Sequence, residues 1–368
     1  MSEKRAEAVI CTENLRKNYN FIKELVYPAK VISVVKAEAY GHGAAEVCRI
    51  LQSEGCGIFA VATADEGLAL RRAGVESDIL ILGVTPVSQC ETLAENAFIQ
   101  TVNSRGYAES LNAANVYAPI RAHIKIDTGM SRLGLYCHTK KDVKRAADDA
   151  EYIHSLPNLH AEGIYTHFAC SDEEGDKMTE KQFSAFSALC AECESRGINL
   201  GLRHCCNSAA ILKYPHMHLD AVRAGILLYG LAPDGKEEKR LEPVMRVLAR
   251  VSQVTHLKKG DTVSYGAAYT AERDMSIATV SIGYADGIPR LLSGRADVVI
   301  RGRRARIIGR ICMDMCMVDI TNIGDCTPGD EVEIFGGTVS VNELAERMGT
   351  INYELLCSVK NRVPRRYI

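Results

Sequence analysis

Short apolar runs and amphipathic stretches alternate along the first two thirds of the chain. The apolar runs are Val31–Val35, Ile58–Ala62, Ile79–Gly83, Ile99–Val102, Ala122–Ile126, Gly163–Phe168, Leu202–Cys206 and Ala221–Tyr229. Each is short, continuous and bounded by polar or turn-forming residues, as buried strands are. Between them, Ala44–Ser53, Asp65–Ala73, Asp142–His154 and Thr179–Arg196 repeat apolar residues at three- and four-residue spacing, which predicts helices with one buried face. Eight β-α units in series predict a parallel (β/α)8 barrel of the TIM type. A doubly wound sheet gives the same alternation. No G-x-G-x-x-G follows the first run, however, and this counts against a dinucleotide-binding fold.

The pattern changes after Pro233-Asp234-Gly235, and the charged stretch Lys236–Arg240 reads as a linker. Beyond it come Val244–Val254, Met275–Ile282, Ala296–Ile300, Ala305–Ile311, Met315–Ile320 and Glu331–Phe335, all β-branched and punctuated by turns, with one short helix at Val341–Met348. This predicts a second, mostly antiparallel β domain. The expected division is 1–235 for the barrel and 236–368 for the β domain.

Catalytic groups of such barrels sit at the C-terminal ends of the strands. Those ends carry Lys36 and Tyr40, Lys125 and Asp127, His167, Asn207 and Ser208, and Arg223 with Gly225. Lys36 is the most informative. It follows a buried strand and precedes Gly41 and Gly43, where the backbone can approach a ligand closely. An amine in that place can bond covalently to a carbonyl cofactor. Taken singly, each residue has a plain structural use: a strand-end lysine reaches solvent, a histidine sits satisfied in a core, an arginine pairs with a carboxylate. Their joint placement on one face points to chemistry.

Composition narrows the rest. A length of 368 residues accommodates a large barrel and a second domain, and 47% hydrophobic with 24% charged residues describes an ordinary globular protein. The net charge of −2 gives no sign of a nucleic-acid partner. The basic run Arg301–Arg306 reads as a solvated strand face or an interface edge. The 14 cysteines show no paired zinc spacing, so they read as reduced, mostly buried small hydrophobes, and no metal is expected. The segment MSEKRAEAVI lacks an apolar signal core, and no apolar stretch is long enough to span a bilayer. These features predict a cytoplasmic protein without a membrane segment, with the alternative that the chain is the catalytic part of a membrane-tethered one.

The chain resembles the alanine racemases, enzymes dependent on pyridoxal 5′-phosphate (PLP), nearly end to end. The resemblance is carried by VVKAEAYGHG at 34–43, IKIDTGMSRLG at 124–134, GIYTHFACSDE at 163–173, NSAAIL at 207–212, DAVRAGILLYG at 220–230, VSYGAAYTAERD at 263–274, VSIGYADG at 280–287, GRICMDMCMVDI at 309–320 and RVPR at 362–365. It implies that Lys36 holds PLP and acts as one of two bases. Tyr40, Ser208, Gly225 and Ile226 would hold the cofactor phosphate, and His167 and Asn207 would also bind the cofactor. Arg223 would face the pyridine nitrogen. An arginine is a donor that does not give up its proton, so the ring would stay a weak electron sink, which favours racemisation over aminotransfer or decarboxylation.

Tyr265 would be the second base, supported by His167 and Arg223 and supplied with Met313 and Asp314 by the other subunit of a homodimer with shared sites. Arg132 would contact the cofactor's phenolic oxygen and the substrate carboxylate. Tyr284 would stand at the substrate entrance, and Lys125 matches a lysine often carbamylated in the family. Two positions depart from the pattern. Glu38 replaces an Asn or Asp, and Asn361 replaces a tyrosine that lines the pocket for the substrate methyl group. The second exchange also resembles the serine racemases of vancomycin-resistance operons. It implies racemisation of serine as well as alanine, with an ordinary alanine racemase as the alternative. A PLP-dependent decarboxylase or a non-catalytic PLP carrier fits less well, because of Arg223 and of the β domain bearing Tyr265.

Overall fold

The computed structural model describes residues 4–114 and 118–368. The start of the N-terminal reading, Met1 to Glu3, lies outside the described residues. The strands in chain order are β1 (Ala6–Ile10), β2 (Lys30–Val34), β3 (Ile58–Val61), β4 (Asp78–Ile81), β5 (Ile99–Val102), β6 (Ile120–Asp127), β7 (Leu135–Tyr136), β8 (Leu159–Tyr165), β9 (Leu202–His204) and β10 (Ala221–Ala224). Then follow β11 (Met245–Leu257), β12 (Thr262–Val263), β13 (Tyr269–Thr270), β14 (Met275–Val280), β15 (Asp297–Ile300), β16 (Arg303–Ile308), β17 (Cys316–Asp319), β18 (Glu331–Phe335) and β19 (Arg365–Tyr367).

Eight parallel strands close a barrel in the order β2, β3, β4, β5, β6, β8, β9, β10 and back to β2. Residues such as Ile32, Phe59, Leu80, Ile99, Ile124 and Ile164 are fully buried or nearly so on these strands. A strand covered on both faces has no polar side to alternate with, which is why the runs read as continuous apolar segments. Each predicted strand is present to within a few residues except Ala221–Tyr229. The chain leaves the sheet after Ala224, and Ile226–Tyr229 forms a 3-10 turn.

The second sheet is mostly antiparallel. The 13-residue strand β11 pairs β18 with its first half and β14 with its second, with a register shift between Val251 and Gln253. Through β17, β16 and β15 the sheet returns to β18 and so closes on itself. Strand β1 adds to β11 antiparallel and to β19 parallel. The N-terminal strand, counted within the barrel segment by the sequence division, thus hydrogen-bonds in the second sheet. A helix at Thr12–Val26, buried through Leu15, Tyr19, Ile22 and Val26, then carries the chain across to β2. The helix Asn352–Ser358 was not expected. It is short, and its buried face is only Asn352, Leu355 and Leu356. Among the described residues no helix is long and apolar enough to cross a membrane, and no group of three or more His, Cys, Asp or Glu side chains converges as metal ligands. The basic run is engaged in pairing: Arg301 with Asp330, Arg304 with Glu343, Arg306 with Asp297, and Arg303 with the Asn322 carbonyl.

Candidate active site

Lys36 lies two residues beyond β2, where the chain enters a turn of the wrong hand for L-residues. Ala37, Glu38, Ala39 and Tyr40 all have φ between 51° and 55°. Each such residue costs about 1–2 kcal/mol relative to the right-handed form, so the turn exists only because its surroundings hold it. Ala39 N donates to Val35 O at 2.8 Å, Gly43 N to Glu38 O at 2.8 Å, and His42 Nδ1 donates to the carbonyls of Ala39 (2.9 Å) and Tyr40 (3.1 Å). From the far end of the chain, Arg365 donates to Gly41 O at 2.9 Å and the Tyr367 hydroxyl to His42 O at 3.0 Å. Gly41 is required. At φ +83° a Cβ would lie 2.4 Å from the Leu356 carbonyl oxygen.

The turn brings the Tyr40 hydroxyl to the end of β10. Gly225 N donates to Ser208 Oγ at 3.0 Å, and a Cβ on Gly225 would come within 2.8 Å of the Tyr40 oxygen. The Tyr40 and Ser208 hydroxyls therefore meet at Gly225, where the 3-10 turn at Ile226 begins, a set of donors suited to a phosphate. Asn207 Oδ1 accepts from Ala210 N at 3.0 Å, capping the helix Ser208–Lys213, and from the Ser171 hydroxyl at 2.8 Å. Tyr353 packs against Tyr40, with ring centroids 5.8 Å apart.

Arg223 is buried in the barrel end without a carboxylate among its hydrogen-bond partners. Nη2 donates to Thr166 O (2.8 Å), Cys205 O (3.0 Å) and His167 Nδ1 (3.0 Å), and Nη1 donates to His204 Nδ1 at 2.7 Å. A guanidinium only donates, so both imidazoles must accept at Nδ1 and carry their proton on Nε2. His204 Nε2 then donates to His123 Nδ1 at 2.9 Å. Burial and the Arg223 charge hold His167 and His204 well below the usual histidine range, and burial with Arg121 and Arg223 pushes His123 down to about 3. All three are neutral near pH 7, and His167 presents an N–H at Nε2.

Lys125 is buried on β6, its Nζ donating to Ile126 O at 2.6 Å. Burial first, then the charges of Arg223 and Arg132, push it down to about 7. Arg132 stands exposed on the turn after β6, which Asp127 builds by accepting from Gly129 N at 3.0 Å and Ser131 N at 2.9 Å. Burial and Arg132 also lower the Lys36 amine, while Glu66 and Cys357 oppose them. Lys36, Lys125, Arg132 and Arg223 make the barrel mouth basic. That suits a cofactor carrying a phosphate and a phenolic oxygen, and a substrate carboxylate. The residues present thus fit PLP.

The remaining candidates collect in the second domain. Tyr265 begins a 3-10 turn between β12 and β13 and is 70% exposed. The Ser264 hydroxyl anchors that turn on Arg310 O at 2.7 Å. Tyr284 N donates to Cys312 O at 3.0 Å, which sets the exposed Tyr284 ring beside the loop of Met313. Asp314 pairs with Arg362 at 2.8 Å, and Arg362 also reaches the buried Asp286 at 3.0 Å. Asn361 is exposed on the turn just before Arg362. Among the described residues, no hydrogen bond or ion pair joins Tyr265, Tyr284, Met313 or Asp314 to the residues of the barrel mouth. Sequence reasoning passed over Glu66, His123, His204 and Tyr353. His204 was findable as the imidazole carried by the predicted strand Leu202–Cys206, which lies beside β10 with His204 opposite Ala221.

A lysine on a strand end, a donor set for phosphate and a buried arginine flanked by neutral imidazoles define a barrel enzyme of the PLP-dependent class. The matches with known proteins are more particular. Residues 10–233 match the alanine racemase N-terminal domain and residues 244–367 the alanine racemase C-terminal domain. The chain is 44% identical to the alanine racemase of Desulfovibrio desulfuricans, over 96% of this chain and 95% of that protein, and 42% identical to that of Desulforamulus reducens, over 98% of each. It superimposes on the alanine racemase of Clostridium difficile with a TM-score of 0.94 at 38% identity, covering 100% of this chain and 97% of that one. The chain belongs to the alanine racemase family and is a PLP-dependent amino-acid racemase.

Proposed function

We propose that this protein interconverts L- and D-alanine with two bases, Lys36 and Tyr265, on opposite faces of the substrate Cα. The observation that carries the reading is Arg223, a buried donor at the same barrel end as Lys36, hydrogen-bonded to His167 and His204. When bound, PLP supplies a carbonyl that joins the substrate amine and an electron-withdrawing ring that acidifies the Cα–H bond. Arg223, a donor that does not give up its proton, would hold the ring nitrogen without protonating it and so keep that withdrawal weak, which disfavours side reactions. Lys36 holds the cofactor, then removes or returns the proton on its own face. Tyr40, Ser208, Gly225 and Ile226 bind the phosphate. Arg132 orients the substrate carboxylate.

A neutral phenol is a poor base at neutral pH. The Nε2–H of His167, fixed there by Arg223, offers a hydrogen bond to the phenolate and so eases its formation. Tyr265 would reach that place from the second copy in a homodimer, together with Met313 and Asp314, while Tyr284 lines the substrate path. The exposed apolar side chains Tyr265, Tyr284, Leu291, Met313 and Met315, all in the second domain, support such an interface. Lys125, easily neutral, has the free amine that adds carbon dioxide: an N–C bond forms, a proton leaves, and an anion able to orient Arg132 results.

The reading with serine as a second substrate rests on Asn361 alone, whereas the relatives aligned over nearly the whole chain are named alanine racemases. Alanine is therefore the substrate we assign. The test is to supply L-alanine and L-serine separately and measure the D-isomer formed, together with borohydride reduction and peptide mapping. D-alanine formation with a pyridoxyl group on Lys36 is expected. Carbon dioxide release, or label on another lysine, would overturn the assignment.

A further inference from the structure

Glu66 has a place in this site that its sequence context disguises. Thr63-Ala64-Asp65-Glu66 has the spacing of a capping box, in which the glutamate folds back onto the N–H of the capping residue. Half of the box is made: the Thr63 hydroxyl accepts from Glu66 N at 3.3 Å. The carboxylate goes elsewhere. Its Oε2 accepts from Ala62 N at 2.7 Å and its Oε1 from Ala37 N at 2.8 Å. Ala62 follows β3, and Ala37 is the residue after Lys36. One carboxylate spans the ends of two neighbouring barrel strands and takes the first N–H of the left-handed turn.

That N–H belongs to the peptide whose carbonyl carbon is in Lys36. The peptide is planar, so holding Ala37 N–H holds the plane on the C-terminal side of the Lys36 Cα. Hydrogen bonds to an ionised acceptor are the stronger kind. The charge matters too. Arg132, Glu66 and Cys357 act on the Lys36 amine, His167 is coupled to it, and Glu66 is the carboxylate in that set. Burial and Arg132 favour the neutral amine, which is free to attack but weak at retaining a proton. A base must also keep the proton it has taken.

We propose that Glu66 is a positioning residue for the reaction, pinning the peptide that follows Lys36 and keeping a fixed negative charge beside its amine. The inference rests on Lys36 being the cofactor lysine. Glu66→Gln removes the charge and leaves one good acceptor for two N–H donors. Glu66→Asp keeps the charge and draws it back by one methylene. Competitive acetylation of the full-length protein, stripped of PLP and mapped at Lys36 across pH, reads the neutral fraction of that amine without any turnover. The midpoint should move to lower pH in Glu66→Gln and stay in place in Glu66→Asp. Both loaded variants should lose roughly tenfold to a hundredfold in kcat, with KM moving less, because the amine is misplaced.

A folded Glu66→Gln protein with the wild-type midpoint and kcat overturns the proposal. Should Glu66→Gln fail to fold, Glu66→Asp decides. Wild-type kcat and PLP affinity with the hydrogen bonds withdrawn overturn it, and a lower kcat at an unmoved midpoint supports it. Borohydride mapping tests the underlying reading separately, since label on another lysine would dismiss Lys36 from the reaction while leaving its acetylation midpoint as measured.

Discussion

The barrel mouth and the rim of the second domain both carry candidate site residues, and they are built in opposite ways. At the mouth, Arg223 makes four hydrogen bonds, Lys125 is buried, and the turn after Lys36 is held by its own bonds and by Arg365 and Tyr367 from the far end of the chain. At the rim, Tyr265 is anchored through its neighbour Ser264 while its own ring stands in solvent. The difference matches the proposed homodimer: one region is tied together within a single chain, and the other stands free for the second copy that the proposal assigns to it.

Breaking the rim should cost activity and nothing else. Tyr265→Phe should retain PLP absorbance and melt like the wild type, yet lose about 10²–10⁴ in racemisation, the usual worth of a positioned acid or base. Exchange of the Cα proton with deuterium should persist for one enantiomer and collapse for the other. Mixing this variant with Lys36→Ala should restore one working site in each mixed dimer, about a quarter of wild-type sites for random pairing. No recovery in confirmed heterodimers would place the whole site within one chain.

Breaking the mouth should cost stability as well. Lys in place of Arg223 keeps a charge but cannot reach both imidazoles and both carbonyls, so buried acceptors are left unpaired at about 2–4 kcal/mol. Arg223→Lys should lower Tm, and Tyr265→Phe should not. A melting point unchanged by Arg223→Lys would mean that the mouth is looser than its hydrogen bonds suggest.

The mouth should also answer to acid. His123, His167 and His204 all have folded pKa values below their unfolded ones, His123 at about 3. Above pH ~6.5 they are neutral in both states and add no pH dependence. As pH falls below that, the unfolded chain takes protons that the folded chain refuses, and stability drops until the folded value is reached. His123 alone should account for on the order of 1–2 kcal/mol between pH 7 and pH 5. Denaturant melts at both pH values check this, and His123→Gln should flatten the dependence. An equal slope in the variant would assign the effect to other groups.

Much of this mouth could be read from sequence because barrel strands are local apolar runs and their ends are positions one can count to. Lys36, Lys125, His167 and Arg223 were located that way. The pairing of β1 was not legible. Its partners Met245–Ala249 and Arg365–Tyr367 lie far along the chain, and a strand's local pattern does not name its partner. Ala221–Tyr229 read as one strand because its apolar run is unbroken. The chain nevertheless leaves the sheet at Gly225, where its N–H meets Ser208. Glu66 was hidden by its resemblance to a helix cap, and the left-handed turn by residues, Ala37 to Tyr40, that have no special liking for positive φ.

The smallest expected effect lies where the two regions adjoin. Asn361 sits on the segment in which Arg362 reaches Asp286 and Asp314 of the rim while Arg365 reaches Gly41 of the turn after Lys36. Being exposed in one chain, it costs little to replace, so Asn361→Tyr should fold and bind PLP normally. Its effect should fall on discrimination. Serine differs from alanine by one hydroxyl, and a buried hydroxyl without a partner loses about 1–3 kcal/mol. An asparagine amide both donates and accepts, whereas a tyrosine ring closes the space with one hydroxyl of its own. The substitution should therefore lower kcat/KM for serine relative to alanine by roughly tenfold, within that same range of energy. Equal ratios in the two proteins would show that the methyl pocket is closed by other residues, and that the segment bearing Asn361 serves only to tie rim to mouth.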